Sequence, residues 1–306
     1  MTTLIAPARQ SLLWANLVCA LSMIIWAAGL PAADLVIPII PPFALTALRC
    51  GLAGLVLLAV WAAFEGITPI RRADWGKGIA VGSLGIGLAA VCLVVGQAYT
   101  DPVTVGIITA SMPLIGMGLE VALDGRRITR PLIIGMALSL VGGMVALAHG
   151  KFTLDLGLGA LATFGSCLFY TWGSRATVTA FPALTDLGRT TITICGGAIA
   201  AAVAAVLAQA TGFSPAVDWS LMGLREWGAL AVFSLLSLAL MQVLWIISVA
   251  RIGIGASSLH MNAVPFYVMA IFFLMGGAWS NLQLGGAALV VLGVMIAQGF
   301  IGGKRA

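Results

Sequence analysis

The chain has 306 residues, of which 61% are hydrophobic and only 8% charged, against roughly 25% charged in an ordinary soluble domain. No water-soluble fold could bury that much apolar surface. The net charge of +5 does not point to nucleic acid either, because the basic residues are distributed over short loops instead of forming one face.

Parsed between its charge clusters, the sequence predicts ten apolar runs of about 20 residues, each long enough to cross a hydrocarbon core of about 30 Å as a helix. The spans are roughly 12–33, 42–64, 75–98, 102–123, 130–148, 155–176, 182–210, 225–250, 254–277 and 281–302. The first run, Ser11 to Ala33, exceeds the about 7–15 residues of a signal-peptide core and reads as a permanent span. With both termini in the cytoplasm, Arg9, Arg71, Arg72, Lys77, Arg126, Arg127, Arg130, Arg175, Arg251, Lys304 and Arg305 fall on the cytoplasmic side. Lys151 and Arg225 fall outside, while Arg49 and Arg189 lie within apolar segments. Eleven against two is a positive-inside pattern. The expected setting is a bacterial inner (cell) membrane, crossed many times, with the lipid bilayer as the main solvent.

Cys19, Cys50, Cys92, Cys167 and Cys195 fall on five different predicted helices. None has metal-ligand spacing and no disulfide framework emerges, so they read as small apolar packing residues with no metal bound.

The order of punctuating residues repeats. Pro42 precedes Arg49 by the same interval as Pro182 precedes Arg189, and Pro113 and Pro265 each precede a pair of glycines, Gly135 and Gly142 or Gly286 and Gly293. The pattern divides the chain into halves at 1–150 and 151–306. Five helices per half is an odd number, so the second half must insert with the opposite sense. The fold class expected is therefore an all-α membrane protein of ten transmembrane helices in two inverted-topology five-helix repeats, an architecture of many secondary transporters.

Within this frame some residues could carry chemistry. Glycine, with 38 residues, is about 12% of the chain against a usual 7%, and serves mainly to let helix backbones approach. Pro113 and Pro265 are expected to kink their helices. Thr104, Thr109 and Ser111 precede one; Ser257, Ser258, His260 and Asn262 precede the other. Such polar groups in lipid need protein or water partners. His260 reads either as one half of an interhelical hydrogen bond or as a substrate or proton contact. Arg49 and Arg189 either snorkel to an interface or pair with Asp34, Asp101, Asp186 or a substrate carboxylate. Glu120 is expected to pair with Arg126 or Arg127. Trp26, Trp172 and Trp245 lie deep, where they pack the core or offer aromatic faces to an amphipathic solute bearing a cationic amine. No P-loop is present, so no ATP site is expected; neither a Gly-x-Ser-x-Gly elbow nor a His-Glu-x-x-His helix occurs, and no cofactor is implied.

Ten spans in two halves, Trp26 in the first helix, Pro42…Arg49 in the second and the Pro113…Gly125 end of the fourth together resemble the drug/metabolite transporter superfamily, of EamA type. Within it the chain is most similar to bacterial aromatic amino acid exporters. Where these families often end helices four and nine with Gly-Glu, this chain has Gly125-Arg126 and Gly277-Ala278. The resemblance implies that helices four and nine line a central cavity while five and ten stay peripheral, and that the solutes are amino acids or related amphipathic metabolites. The cavity is expected among helices one, three, four, six, eight and nine, with Trp26, Tyr99, Trp172, Trp245, His260 and Asn262 as candidate substrate contacts. Two other readings are an intramembrane enzyme using Ser257 or Ser258 with His260, and a lipid-scrambling or structural membrane protein.

The charge pattern makes a direct prediction. A fluorescent protein fused after Lys304 should fluoresce, and a phosphatase fused there should be silent; strong phosphatase activity would overturn the orientation.

Overall fold

The structure, a computed structural model, describes residues 9–100, 102–147, 157–276 and 281–301. Lipid offers backbone amides no water, so each spanning segment has to satisfy its own hydrogen bonds, and the chain does so with helices. In chain order these are α1 (Arg9–Ala28, continued by Leu30–Val36), α2 (Pro42–Glu65), and α3 (Trp75–Gly82, Ser83–Leu88 and Ala89–Tyr99). Then come α4 (Pro102–Ala110 and Met112–Asp124), α5 (Arg130–Leu147), α6 (Leu158–Thr179) and α7 (Asp186–Ala210). The last are α8 (Leu224–Ala231, Val232–Leu240 and Met241–Ile252), α9 (Ile254–Ser258, Leu259–Ala263 and Val264–Leu274) and α10 (Asn281–Ala297). The ten rods follow the ten predicted runs. The predicted boundary between the halves, 150/151, lies outside the described residues.

The start of α7 differs from expectation. It begins at Asp186 and not at Pro182, because the Thr185 hydroxyl accepts a hydrogen bond from the Gly188 amide at 3.0 Å and caps the helix there. In α2 Pro42 itself is the first residue, where its missing N–H is harmless. Arg189 thus stands in the first turn of its helix, whereas Arg49 lies about two turns deep.

Packing follows an exchange symmetry. Helix α2 packs on α7, α4 on α9 and α5 on α10. The contacts of α1 with α8, α1 with α9 and α2 with α8 recur as α6 with α3, α6 with α4 and α7 with α3. Swapping the first five helices for the last five carries these main contacts onto one another, while those of α6 with α8 and α5 with α9 lack equally extensive counterparts; the odd number of helices per half is what makes the halves inverted. The irregularities are matched as well. Both α3 and α8 contain a π-helical segment, Ser83–Leu88 and Val232–Leu240. Both α4 and α9 are interrupted just before their prolines, at Ser111 and over Leu259–Ala263. Pro113 and Pro265 each stand second in the segment that follows, so they open a new helical piece instead of kinking a continuous one.

Glycine closes the distance between these helices. A Cβ on Gly173 would land on the Gly85 backbone and one on Gly82 on the Thr193 carbonyl, while Gly142 and Gly286 face each other across α5 and α10. Gly51, by contrast, has open space around it. Gly173→Ala should therefore destabilise the detergent-purified protein by about 1–3 kcal/mol. Gly51→Ala should be neutral or stabilising by up to about 1 kcal/mol, as helix propensity dictates. Equal melting temperatures for the two variants would refute the close-packing account.

Candidate functional site

One end of the bundle, where Arg71, Arg72, Arg126 and Arg127 lie, is tied together by charge. Asp124 at the end of α4 holds Arg175 of α6, with Nε to Oδ2 at 2.8 Å. Asp186 of α7 pairs with Arg189 and, at 3.3 Å, with Arg251 of α8. The Arg251 guanidinium in turn lies 4.9 Å from the ring centre of Trp14 on α1. Buried Glu120 pairs with Arg126 and also accepts the Gly255 amide at 3.1 Å. That second contact depends on Gly253, the single residue between α8 and α9. Its φ of +82° suits glycine, and a Cβ there would strike the Glu120 carboxylate. Every ion pair among the described residues lies at this end.

The centre is aromatic and polar. Trp245 of α8 is fully buried and donates Nε1–H to Ser174 Oγ of α6 at 3.0 Å. One turn away, the Tyr170 hydroxyl donates to Gln242 Oε1 at 3.1 Å, and the Tyr170 and Trp245 rings stack at 6.2 Å. Cys19, Met23 and Trp26 of α1 and Tyr267 of α9 pack into the same cluster. Helices of both halves therefore meet around a set of groups that can stack on a ring or hydrogen-bond a polar head.

The predicted contacts distribute unevenly over this centre. Trp26 and Trp245 share it. Trp172 instead packs with Trp61, Val81, Phe181 and Ile192. Tyr99, half exposed at the far end of α3, stacks on Phe213 at 6.5 Å. Asn262 turns to α5, donating to the Ser139 carbonyl at 3.3 Å and hydroxyl at 3.1 Å. His260 is buried with Nδ1 unpartnered. Ser258 donates to the Ile254 carbonyl at 2.7 Å and the Ser257 hydroxyl has no partner; among the described residues no hydrogen bond joins either serine hydroxyl to the His260 ring. No group of three or more His, Cys, Asp or Glu that could hold a metal occurs among the described residues. Tyr170, Ser174, Gln242 and Tyr267 are the members sequence reasoning missed. Gln242, a lone amide in a long apolar run, carried the same signal that singled out Asn262.

Arg49 sits beside this centre. Its Nε donates to the Phe233 carbonyl at 3.1 Å and its Nη2 to the Ser237 carbonyl at 3.0 Å, with the guanidinium 3.9 Å from the Phe233 ring centre. Both carbonyls belong to the π segment of α8, whose wider turns disturb the regular i→i+4 ladder. Ser237 Oγ then donates to the Trp26 carbonyl at 3.1 Å, linking α2, α8 and α1. A cation at membrane depth costs about 2.5–3.5 kcal/mol on insertion scales, and these carbonyls and the ring offset it. Arg189, its counterpart by sequence, instead engages Asp186. The two halves are therefore inequivalent here.

At the end opposite the ion pairs the bundle is open. A cavity of about 520 Å³ is lined by residues of α1, α8 and α9, among them Asp34, Arg225, Phe272 and Met275. A narrower cleft of about 110 Å³ continues from it past Gly29 and Leu236, sharing Ala28 and Val232 with the larger space.

This architecture has known relatives. Residues 13–148 match the EamA-like transporter family. Over 269 residues the chain is 29% identical to "Uncharacterized transporter YyaM" of Bacillus subtilis (strain 168), covering 85% of each sequence. A crystal structure described only as that of a protein aligns with a TM-score of 0.79 at 21% identity, covering 95% of this chain and 97% of the other; that likeness concerns the fold. Seven of the described helices are long and apolar enough to cross a membrane, so the chain is a multi-pass membrane protein that resembles a transporter family over its first half.

The Arg49 geometry predicts that Arg49→Leu lowers stability by about 1–3 kcal/mol, because the π-segment carbonyls lose their charged donor. Arg49→Lys should not rescue it, since a single ammonium cannot replace a guanidinium fork. A lysine variant melting with the wild type would refute the role.

Proposed function

We propose that the protein is a secondary transporter exporting amino acids, aromatic ones included, and related small amphipathic metabolites across a bacterial inner membrane. Both termini lie in the cytoplasm and the halves 1–150 and 151–306 move as units. The observation that carries this reading is the central cluster in which Trp26, Tyr170, Gln242 and Trp245 of α1, α6 and α8 meet. It combines ring faces with buried hydrogen-bonding groups at the junction of two inverted halves, where such transporters bind solute.

Access alternates. In the observed state ion pairs tie the basic end, which this orientation makes the cytoplasmic one, while the opposite end carries the cavity. Return to the inward-open state requires Asp124–Arg175 and Asp186–Arg251 to separate. These pairs are partly exposed, and exposed pairs contribute about 0–1 kcal/mol each, so solute binding can shift the balance. Energy comes from a solute or ion gradient, consistent with the absence of a P-loop in the sequence.

Counterflow of a panel of labelled amino acids into proteoliposomes tests the reading, with aromatic amino acids expected to exchange saturably. Gln242→Leu and Trp245→Phe should each lower the initial rate by about tenfold, the scale of one lost buried hydrogen bond, without preventing insertion. Flux that is absent for every amino acid, or accumulation that needs ATP with the purified protein alone, would refute it.

A further inference from the structure

The open cavity contains two charges that the fold leaves unused. Asp34, on the Leu30–Val36 piece of α1, and Arg225, in the first turn of α8, both line it. Both are exposed, and neither makes an ion pair among the described residues. This contrasts with the basic end, where Glu120, Asp124 and Asp186 are each matched. The positions of the two charges are nonetheless held firmly. Ala33 and Val36 flank Asp34 and pack with Ala229 and Leu230, one turn beyond Arg225, in a buried cluster. One carboxylate and one guanidinium thus sit on a rigid frame over an otherwise largely apolar floor that includes Phe272 and Met275. The space of about 520 Å³ is wide open to the outside, so a solute held there stays partly exposed and depends on the two charges for its orientation.

We propose that this groove binds the free zwitterion of an amino acid at the open end of the transport path, Arg225 taking the carboxylate and Asp34 the ammonium, with the side chain against Phe272 and Met275. The proposal rests on the amino-acid reading above and adds a second, distal station to it. Guanidinium matches carboxylate geometry. The cleft behind the groove runs past Gly29, which abuts Ser237 and so borders the Ser237–Trp26 contact at the edge of the central cluster. A phosphatidylethanolamine headgroup carries the same chemistry, an ammonium beside an anion, and the experiment has to separate the two sources.

Binding of labelled phenylalanine is measured on purified protein in phosphatidylglycerol nanodiscs, with phenethylamine and 3-phenylpropionate as competitors that lack the carboxylate and the amine respectively. Arg225→Gln should weaken phenylalanine about tenfold or more while leaving phenethylamine competition unchanged. Asp34→Asn should do the same while sparing 3-phenylpropionate, and the double variant Asp34→Arg with Arg225→Asp should recover part of the affinity. Phenylalanine bound equally by wild type and both single variants, with counterflow intact, would overturn the groove alone. Phosphatidylethanolamine that displaces phenylalanine in proportion to its content would assign the groove to lipid and also overturn it. Wild-type protein that neither binds nor moves any amino acid would remove the substrate class, and the groove assignment with it.

Discussion

The constraint on which this structure depends is the absence of water in the hydrocarbon core, which leaves every backbone amide to find its partner within the protein. Regular helices meet it over most of the chain. The exceptions occur in matched pairs, the π segments of α3 and α8 and the interruptions of α4 and α9. At α8 the irregular segment gains a further donor from Arg49, whose side chain reaches the Phe233 and Ser237 carbonyls. These carbonyls and the Phe233 ring offset the cost of placing that charge at membrane depth.

The same lack of water removes the hydrophobic drive between helices, so contact has to come from shape. Glycine supplies it at the seams between halves, α3 with α6, α3 with α7, and α5 with α10. Backbone apposed to backbone leaves surfaces without long interlocking side chains. Such seams suit small sliding and rocking motions, which packed larger side chains would resist.

The two halves share a topology without sharing a state. Arg49 is bound to π-segment carbonyls while Arg189 is bound to a carboxylate. The basic end is tied by ion pairs and the opposite end holds a cavity. Corresponding positions of the two halves thus differ in their partners although the helices that carry them correspond.

The sequence by itself determined the spans, their number and the inverted relation of the halves. These follow from hydrophobic run length and from punctuation by Pro, Gly and Arg, all local or periodic properties of the chain. It also marked Trp26 and Trp245 as deep aromatic groups. It could not decide which face of a helix looks inward, because apolar residues surround every helix and periodicity carries little signal when lipid and core are equally apolar. Only the tertiary structure turned Asn262 toward α5, set Trp172 among the residues around Trp61, and placed Tyr170 and Gln242 at the centre. It alone gave Arg49 its partners, since a π segment nearly two hundred residues away in the chain is a matter of packing and not of spacing.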